Sequence, residues 1–359
     1  MPERDDLRVD HLHGGENVDH RPRVAVLGAS GYAGALAAHL LHRHPRFELT
    51  ALTSRSDVGR RLDDLYPRYR VPMTMEELDL DRHADGLDAA VVAYPHHAAA
   101  PTVAALRERG VRVVDLSADF RLRTLSTYEH WYGAHPAPAL IDDAVYGLPE
   151  LGAFHEGYRE RIAAAGLVAN PGCFPTATLL GLGPLADEGL IADVVIDAKT
   201  GVSGAGRAAT GDTHFVTVDE NVVAYKLAGH RHAPEIDQEL AGLGAFDGPV
   251  TFVPHLVPVD QGELITSYVK PPCEVSQDDL DTIFRDAYAD EPFVELATKP
   301  PGMHDVENTN ICRISVHGDR HDGRVVVLAA IDNLWKGTSS QAVQNLNLMF
   351  GFPEGEGIA

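Results

Sequence analysis

Apolar runs that do not alternate with polar residues mark the first part of the chain. They are RVAVL (23–27), the apolar part of FELTALTS (47–54), LDAAVVAYP (87–95) and VRVVDLS (111–117). Between the first two lies a glycine-rich turn, GASGYAG, and a helical stretch through about Arg43; AAAPTVAALRERG follows the third run. Continuous apolar strands separated by helices predict a parallel sheet covered on both faces. After about residue 150 the pattern changes. LVAN (167–170), VVIDAKT (194–200), VTFVPHLVP (250–258), GELITSYVK (262–270), ICRISVHG (311–318) and GRVVVLAAIDN (323–333) predict the strands of a larger, mixed sheet. The stretch 334-LWKGTSSQAVQNLNLMFG-351 predicts a last helix, closed by Gly351, that returns to the first domain. The pattern as a whole is α/β, with a dinucleotide domain and a catalytic domain.

At 359 residues the chain is long enough for two such domains. No apolar run approaches the ~20 residues of a membrane span. The first 20 residues are polar, lack the apolar core of a signal peptide and read as a disordered tail carrying His11, His13 and His20. Net charge is −23, from 53 acidic and 30 basic residues, which argues against nucleic acid or anionic membrane as a partner. Only five of the basic residues are lysines, a composition that suggests a salt-loving host or a GC-rich genome. The three cysteines, Cys173, Cys273 and Cys312, fit no metal motif and leave one unpaired, so free thiols in a reducing cytoplasm are expected, with no metal.

In GASGYAG the glycines fall at 28, 31 and 34, after a strand and before a helix. Such a turn lets backbone approach a phosphate, which the helix N-terminus attracts. An NAD site places an acid at the end of the second strand. Here Thr53-Ser54-Arg55-Ser56 stands there, with hydroxyls and a guanidinium suited to a 2′-phosphate, so NADP is expected.

Cys173 lies in 169-ANPGCFPTAT-178, where a turn becomes a helix. A helix N-terminus lowers a cysteine's pKa and can stabilise an oxyanion, a placement suited to covalent acyl chemistry. A thiol nucleophile needs a base, and 229-GHRHAPEI-236 offers His230 and His232. In an extended segment these two point the same way and Arg231 the other; either His could serve. The turn 201-GVSGAGRAA-209 offers Ser203, Gly204 and Gly206 with Arg207 as a fixed charge, and Arg121 in 115-DLSADFRL-122 follows the end of a strand, where such sheets bind ligands. Cys273 and Cys312 read as structural.

Together GASGYAG, DLSADFRL, YGLPEL, NPGCFPTA, SGAGR, GHRHAPEI and AIDNLWKGT, in this order from about residue 23 to 352, closely resemble the N-acetyl-γ-glutamyl-phosphate reductase family of arginine biosynthesis. The resemblance implies a semialdehyde-dehydrogenase-type fold: a Rossmann NADP-binding domain (21–169 with 332–359) and an α+β catalytic and oligomerisation domain with a large mixed sheet (170–331). It implies a cytoplasmic enzyme acting on a small acyl phosphate and assembled as a homodimer or homotetramer. Cys173 then matches the nucleophile, and His230 and His232 the HRH motif, with His230 preferred as acid/base. Gly28, Ser30, Gly31, Tyr32, Ala33 and Gly34 match the phosphate-binding turn, with Ser54 and Arg55 beyond it. Ser203 and Gly204 match the active-site loop, Asn333 the holder of the nicotinamide, and Arg121 and Arg207 the substrate contacts.

The chain departs from the pattern in its longer tail, in Trp335 where NLVKG is expected, and in 300-PPGMHDVENTNICRI-314. The TN-x-C of that last stretch is similar to reductases of carrier-protein-bound substrates in lysine biosynthesis, the main alternative. CFPTAT and the negative charge weigh against it. Aspartate-semialdehyde dehydrogenase shares the chemistry but differs around its Cys and His, and a silent NADP-binding sensor would not need an activated thiol.

Overall fold

The computed structural model describes residues 21–358 apart from 228, 245, 247 and 319–321. The segment 1–20, with its three histidines and the disorder expected of it, lies outside the described residues.

Six strands form a parallel sheet: β1 (Arg23–Leu27), β2 (Glu48–Thr53), β3 (Ala89–Val92), β4 (Arg112–Asp115), β5 (Ala144–Tyr146) and β6 (Leu167–Ala169), in the order β2-β1-β3-β4-β6-β5. The four predicted strands of this half are all present. β6 was expected in the mixed sheet, but it inserts between β4 and β5 with Val113 opposite Leu167. Its three residues are fully buried, so its side chains carry no alternation to separate it from its neighbours.

The second sheet contains β7 (Asp193–Thr200), β8 (Val223–Ala224), β9 (Thr251–Leu256), β10 (Glu263–Lys270), β11 (Val294–Leu296), β12 (Cys312–Gly318) and β13 (Val325–Ile331), in the order β11-β12-β13-β10-β7-β9-β8. It is mixed: β10 runs antiparallel to both β7 and β13, whereas β7 and β9 are parallel. One face is buried, and β7 and β10 alternate accordingly. That face receives the Cys173–Asp187 helix, whose residues from Phe174 to Ala186 are all buried. The helix also packs on the Ala233–Leu243 helix and on β13.

The closing segment is a π-helical turn, Trp335–Ser339, continuing into the helix Ser340–Met349. It runs back to the parallel sheet. Asn345 Nδ2 donates to Gly147 O at 2.9 Å and to Asn170 Oδ1 at 3.1 Å, and Ser339 Oγ donates to Ala33 O at 2.8 Å. The ends of β6, β7, β10 and β13 therefore converge on one place, the start of the Cys173 helix.

Candidate active site

The turn Asn170-Pro171-Gly172 leaves β6 under tight control. Asn170 is fully buried; its N–H donates to Asp115 O at 2.9 Å and its carbonyl accepts from Arg121 Nε at 2.8 Å. Gly172 N–H donates to Glu235 Oε1 at 2.9 Å. The same carboxylate accepts from the Tyr146 hydroxyl at 2.8 Å and faces the Arg121 guanidinium at 3.4 Å. Glu235 thus ties the Ala233–Leu243 helix to the turn, a role that the GHRHAPEI motif by itself does not disclose. Gly172 is the N-cap, and no side chain caps the Cys173 helix, so its first N–H groups face the site.

Cys173 is half-buried and is the first residue of that helix. The Phe174 N–H favours the thiolate, as a helix start should. Burial and the neighbouring Glu263 carboxyl outweigh it and push the thiol well above its usual range. A thiolate made by the helix end alone, as the sequence suggested, is not the resting state here, because desolvation dominates.

His230 and His232 stand together, ring centroids 5.0 Å apart, and both lie edge-on to Phe174, the residue after the cysteine. Arg231 turns the other way, over the Tyr132 ring and against His96. The two histidines are not equivalent. His230 Nδ1 accepts from the His232 N–H at 3.1 Å, and its ring packs on Tyr225 and Phe252. His232 Nε2 lies on the cysteine turn, 2.6 Å from where a Cβ on Gly172 would sit, and its Nδ1 is buried without a hydrogen bond. Burial holds both imidazoles neutral: His230 is lowered to about 4 and His232 well below its usual value.

Asn333 joins the loop after β7 to the loop before β10. Its Nδ2 donates to Ser203 Oγ at 3.0 Å and its Oδ1 accepts from Gly262 N at 2.7 Å; Gly204 lies beside it. Arg207 reaches across to the glycine turn, donating to Asp57 Oδ2 at 2.6 Å and to Ser30 O at 3.4 Å. Arg121 instead lies against the cysteine turn, so the two arginines flank the site from opposite ends.

At the glycine turn, φ is +92° at Gly28, and a Cβ there would lie 2.7 Å from Ala93 O. Gly31 is the N-cap of the helix Tyr32–Arg43, with no side-chain cap, which leaves the first N–H groups of that helix, at Tyr32, Ala33 and Gly34, open to a phosphate. Ser54 Oγ donates to Ser30 Oγ at 2.8 Å, and the exposed Arg55 guanidinium lies 4.9 Å over the Tyr94 ring. An uncapped helix start and an exposed guanidinium are the chemistry a phosphorylated dinucleotide requires, whereas Ser54 is buried with its hydroxyl engaged by Ser30, Ser56 and Asp57. A cavity of about 400 Å³ lined by Tyr32, Ser203, Arg207, Gln261 and Leu334 connects the turn to the loop of Ser203. A larger one, about 560 Å³ between β12 and the helix Gln277–Ala287, holds none of these groups.

Glu263 is the site residue that sequence reading missed altogether. Its signal was its phase: GELITSYVK places it on the same face as Ile265, Ser267 and Val269, where an acid is out of pattern.

No helix among the described residues is long and apolar enough to cross a membrane, and none of their His, Cys, Asp and Glu side chains cluster as a metal site. Residues 23–157 match the model of the semialdehyde dehydrogenase NAD binding domain, and residues 173–333 that of the semialdehyde dehydrogenase dimerisation domain, which supports a homo-oligomer. Among solved structures, aspartate semialdehyde dehydrogenase II from Vibrio cholerae has the same fold, with a TM-score of 0.70 at 18% identity over 92% of this chain and 99% of that one. The aspartate semialdehyde dehydrogenase with NADP from Candida albicans gives 0.66 at 14%, over 92% and 99%. Similarity in sequence is far higher to the N-acetyl-gamma-glutamyl-phosphate reductase of Desulforudis audaxviator, 47% over 94% of this chain and 97% of that protein. The protein of that name from Moorella thermoacetica is 46% identical over 92% and 96%. Identity of this extent over nearly the whole of both chains means that the chain belongs to the N-acetyl-gamma-glutamyl-phosphate reductase family.

Proposed function

We propose that the chain reduces N-acetyl-L-glutamyl 5-phosphate with NADPH to N-acetyl-L-glutamate 5-semialdehyde and phosphate, through a thioester on Cys173. The observation that carries this reading is Cys173 at an uncapped helix start, with the His232 imidazole on the same turn. Sulfur adds to the acyl carbon and phosphate leaves, while first-turn N–H groups face the oxygen on which charge develops. The glycine turn, Ser54, Arg55 and Asn333 would hold NADPH, which would supply the hydride for reduction of the thioester.

His232 is the acid/base of the substrate oxygen. With a proton from solvent it neutralises the oxygen as the thioester is reduced, and it takes that proton back when the carbonyl re-forms and the C–S bond breaks. We favour it over His230, whose Nδ1 is engaged by the backbone. Arg121 orients the cysteine turn, and Arg207 is the positive group nearest the path of the phosphate.

Residues 21–169 with 332–359 act as the cofactor domain and 170–331 as the catalytic and oligomerisation domain, in a dimeric or tetrameric cytoplasmic enzyme. The test runs the reaction in reverse, with N-acetyl-glutamate semialdehyde, NADP and phosphate. NADPH formation that requires phosphate and is lost in Cys173→Ser is the expected result. Turnover in Cys173→Ser would end the covalent reading. Silence of the wild type with this aldehyde would turn the assignment toward a carrier-linked substrate.

A further inference from the structure

The reaction above leaves one buried ionisable group of the site without a role. Glu263 opens β10, directly opposite Thr200 on β7 and Ile331 on β13. Its side chain is fully buried on the face that packs against the Cys173 helix. The carboxyl faces the Cys173 sulfur and the Thr200 hydroxyl. Neither carboxyl oxygen has a well-oriented hydrogen bond, nor does Thr200 Oγ1. The titratable groups that bear on it are Cys173 from the helix start, Asp332 after β13, Tyr225 after β8 and Cys312 on β12. None of these is a cation. A buried carboxyl with neither a cation nor a full set of hydrogen bonds is destabilising, and an aliphatic residue would fill this core position without that cost. Its one close reactive neighbour is the sulfur.

We propose that Glu263 is the proton acceptor of the Cys173 thiol: its carboxylate takes the S–H proton as sulfur bonds to the acyl carbon, and returns it to sulfur when the C–S bond breaks. This rests on the reading of Cys173 as the nucleophile. The proton inventory closes. Glu263 starts and ends each cycle as a carboxylate and Cys173 as a thiol, while the proton consumed overall comes from solvent and leaves on phosphate.

Two features favour Glu263 over the imidazoles. Burial lifts its carboxyl to about 8, so it is a far stronger base than His230, at about 4, and than His232, which burial holds well below its usual value. A base whose pKa lies near the working pH is the efficient kind. Its position also differs from theirs. Glu263 lies on the sheet face that packs against the Cys173 helix, whereas His232 lies on the Gly172 turn.

The experiment compares wild type, Glu263→Gln, Glu263→Asp and Cys173→Ser by the single-turnover rate of Cys173 acylation between pH 6 and 9, with thermal melting of each. In wild type the rate climbs with pH and levels off near 8. In Glu263→Gln it drops about 100-fold at pH 8 and loses this limb, with substrate KM little changed and a melting temperature no lower than wild type. Glu263→Asp keeps the limb at a reduced rate, and it decides the matter if the Gln variant does not fold. A Gln variant with wild-type rate and pH profile overturns the proposal alone. An acylation that proceeds in Cys173→Ser, or never occurs in wild type, overturns the nucleophile reading and the proposal with it.

Discussion

The guanidinium of Arg207, from the loop after β7, meets the carboxylate of Asp57, from the segment after β2, at 2.6 Å. This is a contact between the loop of Ser203 and the segment beside the glycine turn. Arg207 and Ser56 hold the Asp57 carboxyl down to about 2, so the pair stays ionised through the physiological range. Its stabilising contribution is present above the ordinary carboxylate pKa and is lost as pH falls toward 2. Because the Arg207 side chain is about a third exposed, that contribution is small, about 0.5 kcal/mol. Arg207→Ala should therefore melt within a few degrees of wild type yet lose about tenfold or more in kcat/KM for the acyl phosphate. Steady-state kinetics beside a melting curve separates the two effects.

The cofactor preference should reside in Ser54 and Arg55. A charge-assisted contact to a 2′-phosphate is worth about 1.5–3 kcal/mol. Arg55→Ala should therefore raise KM for NADPH about 10- to 100-fold and leave the weak use of NADH nearly unchanged. Titrating both cofactors against wild type and variant reads this directly. An equal loss with both would place Arg55 away from the 2′-phosphate.

The histidine pair carries a pH signature in stability. His230 is held at about 4, below its usual value, so the unfolded chain takes up this proton first as pH falls. Stability is then fully present above about pH 6.5 and declines from there toward pH 4. In His230→Gln this part of the decline should disappear, seen as a smaller fall in melting temperature between pH 7 and 5. For the same reason kcat/KM should show no limb near 6.5, because neither imidazole titrates there in the folded protein.

Lys336 and Glu150 form an ion pair at 2.5 Å in which neither side chain is exposed, and Gln344 hydrogen-bonds to both. Removing one partner leaves a buried charge uncompensated. Lys336→Ala should cost about 3–5 kcal/mol in urea unfolding, whereas Lys336→Met combined with Glu150→Leu should cost much less. Equal losses in single and double variants would mean that the π-helical turn depends on the pair itself.

The local grammar of the chain determined much of this protein. Apolar runs alternating with helical stretches specified the parallel sheet, because strands buried on both faces have no polar side to show. The turn signals at Gly28 and at Asn170-Gly172 located both loops of the site, since a change from strand to helix needs those backbone conformations. The GHRH motif named the two imidazoles, but what brings them together is a turn, with the Ala233 N–H bonded to His230 O and His232 already in helical conformation, and not the extended segment the spacing suggested.

Tertiary structure decided the rest. β6 joined the parallel sheet by pairing with β4 and β5, a choice of partners that three fully buried residues do not encode. Glu235 became the holder of the cysteine turn because helix packing, not sequence proximity, brought it to Gly172. The state of the thiol changed for the same kind of reason. A helix start favours a thiolate, but burial and the carboxyl of Glu263, which is 90 residues away in the chain, oppose it more strongly. Desolvation and the pairing of Glu263 with Thr200 exist only once the second sheet has formed, so no local pattern around Cys173 could have contained them.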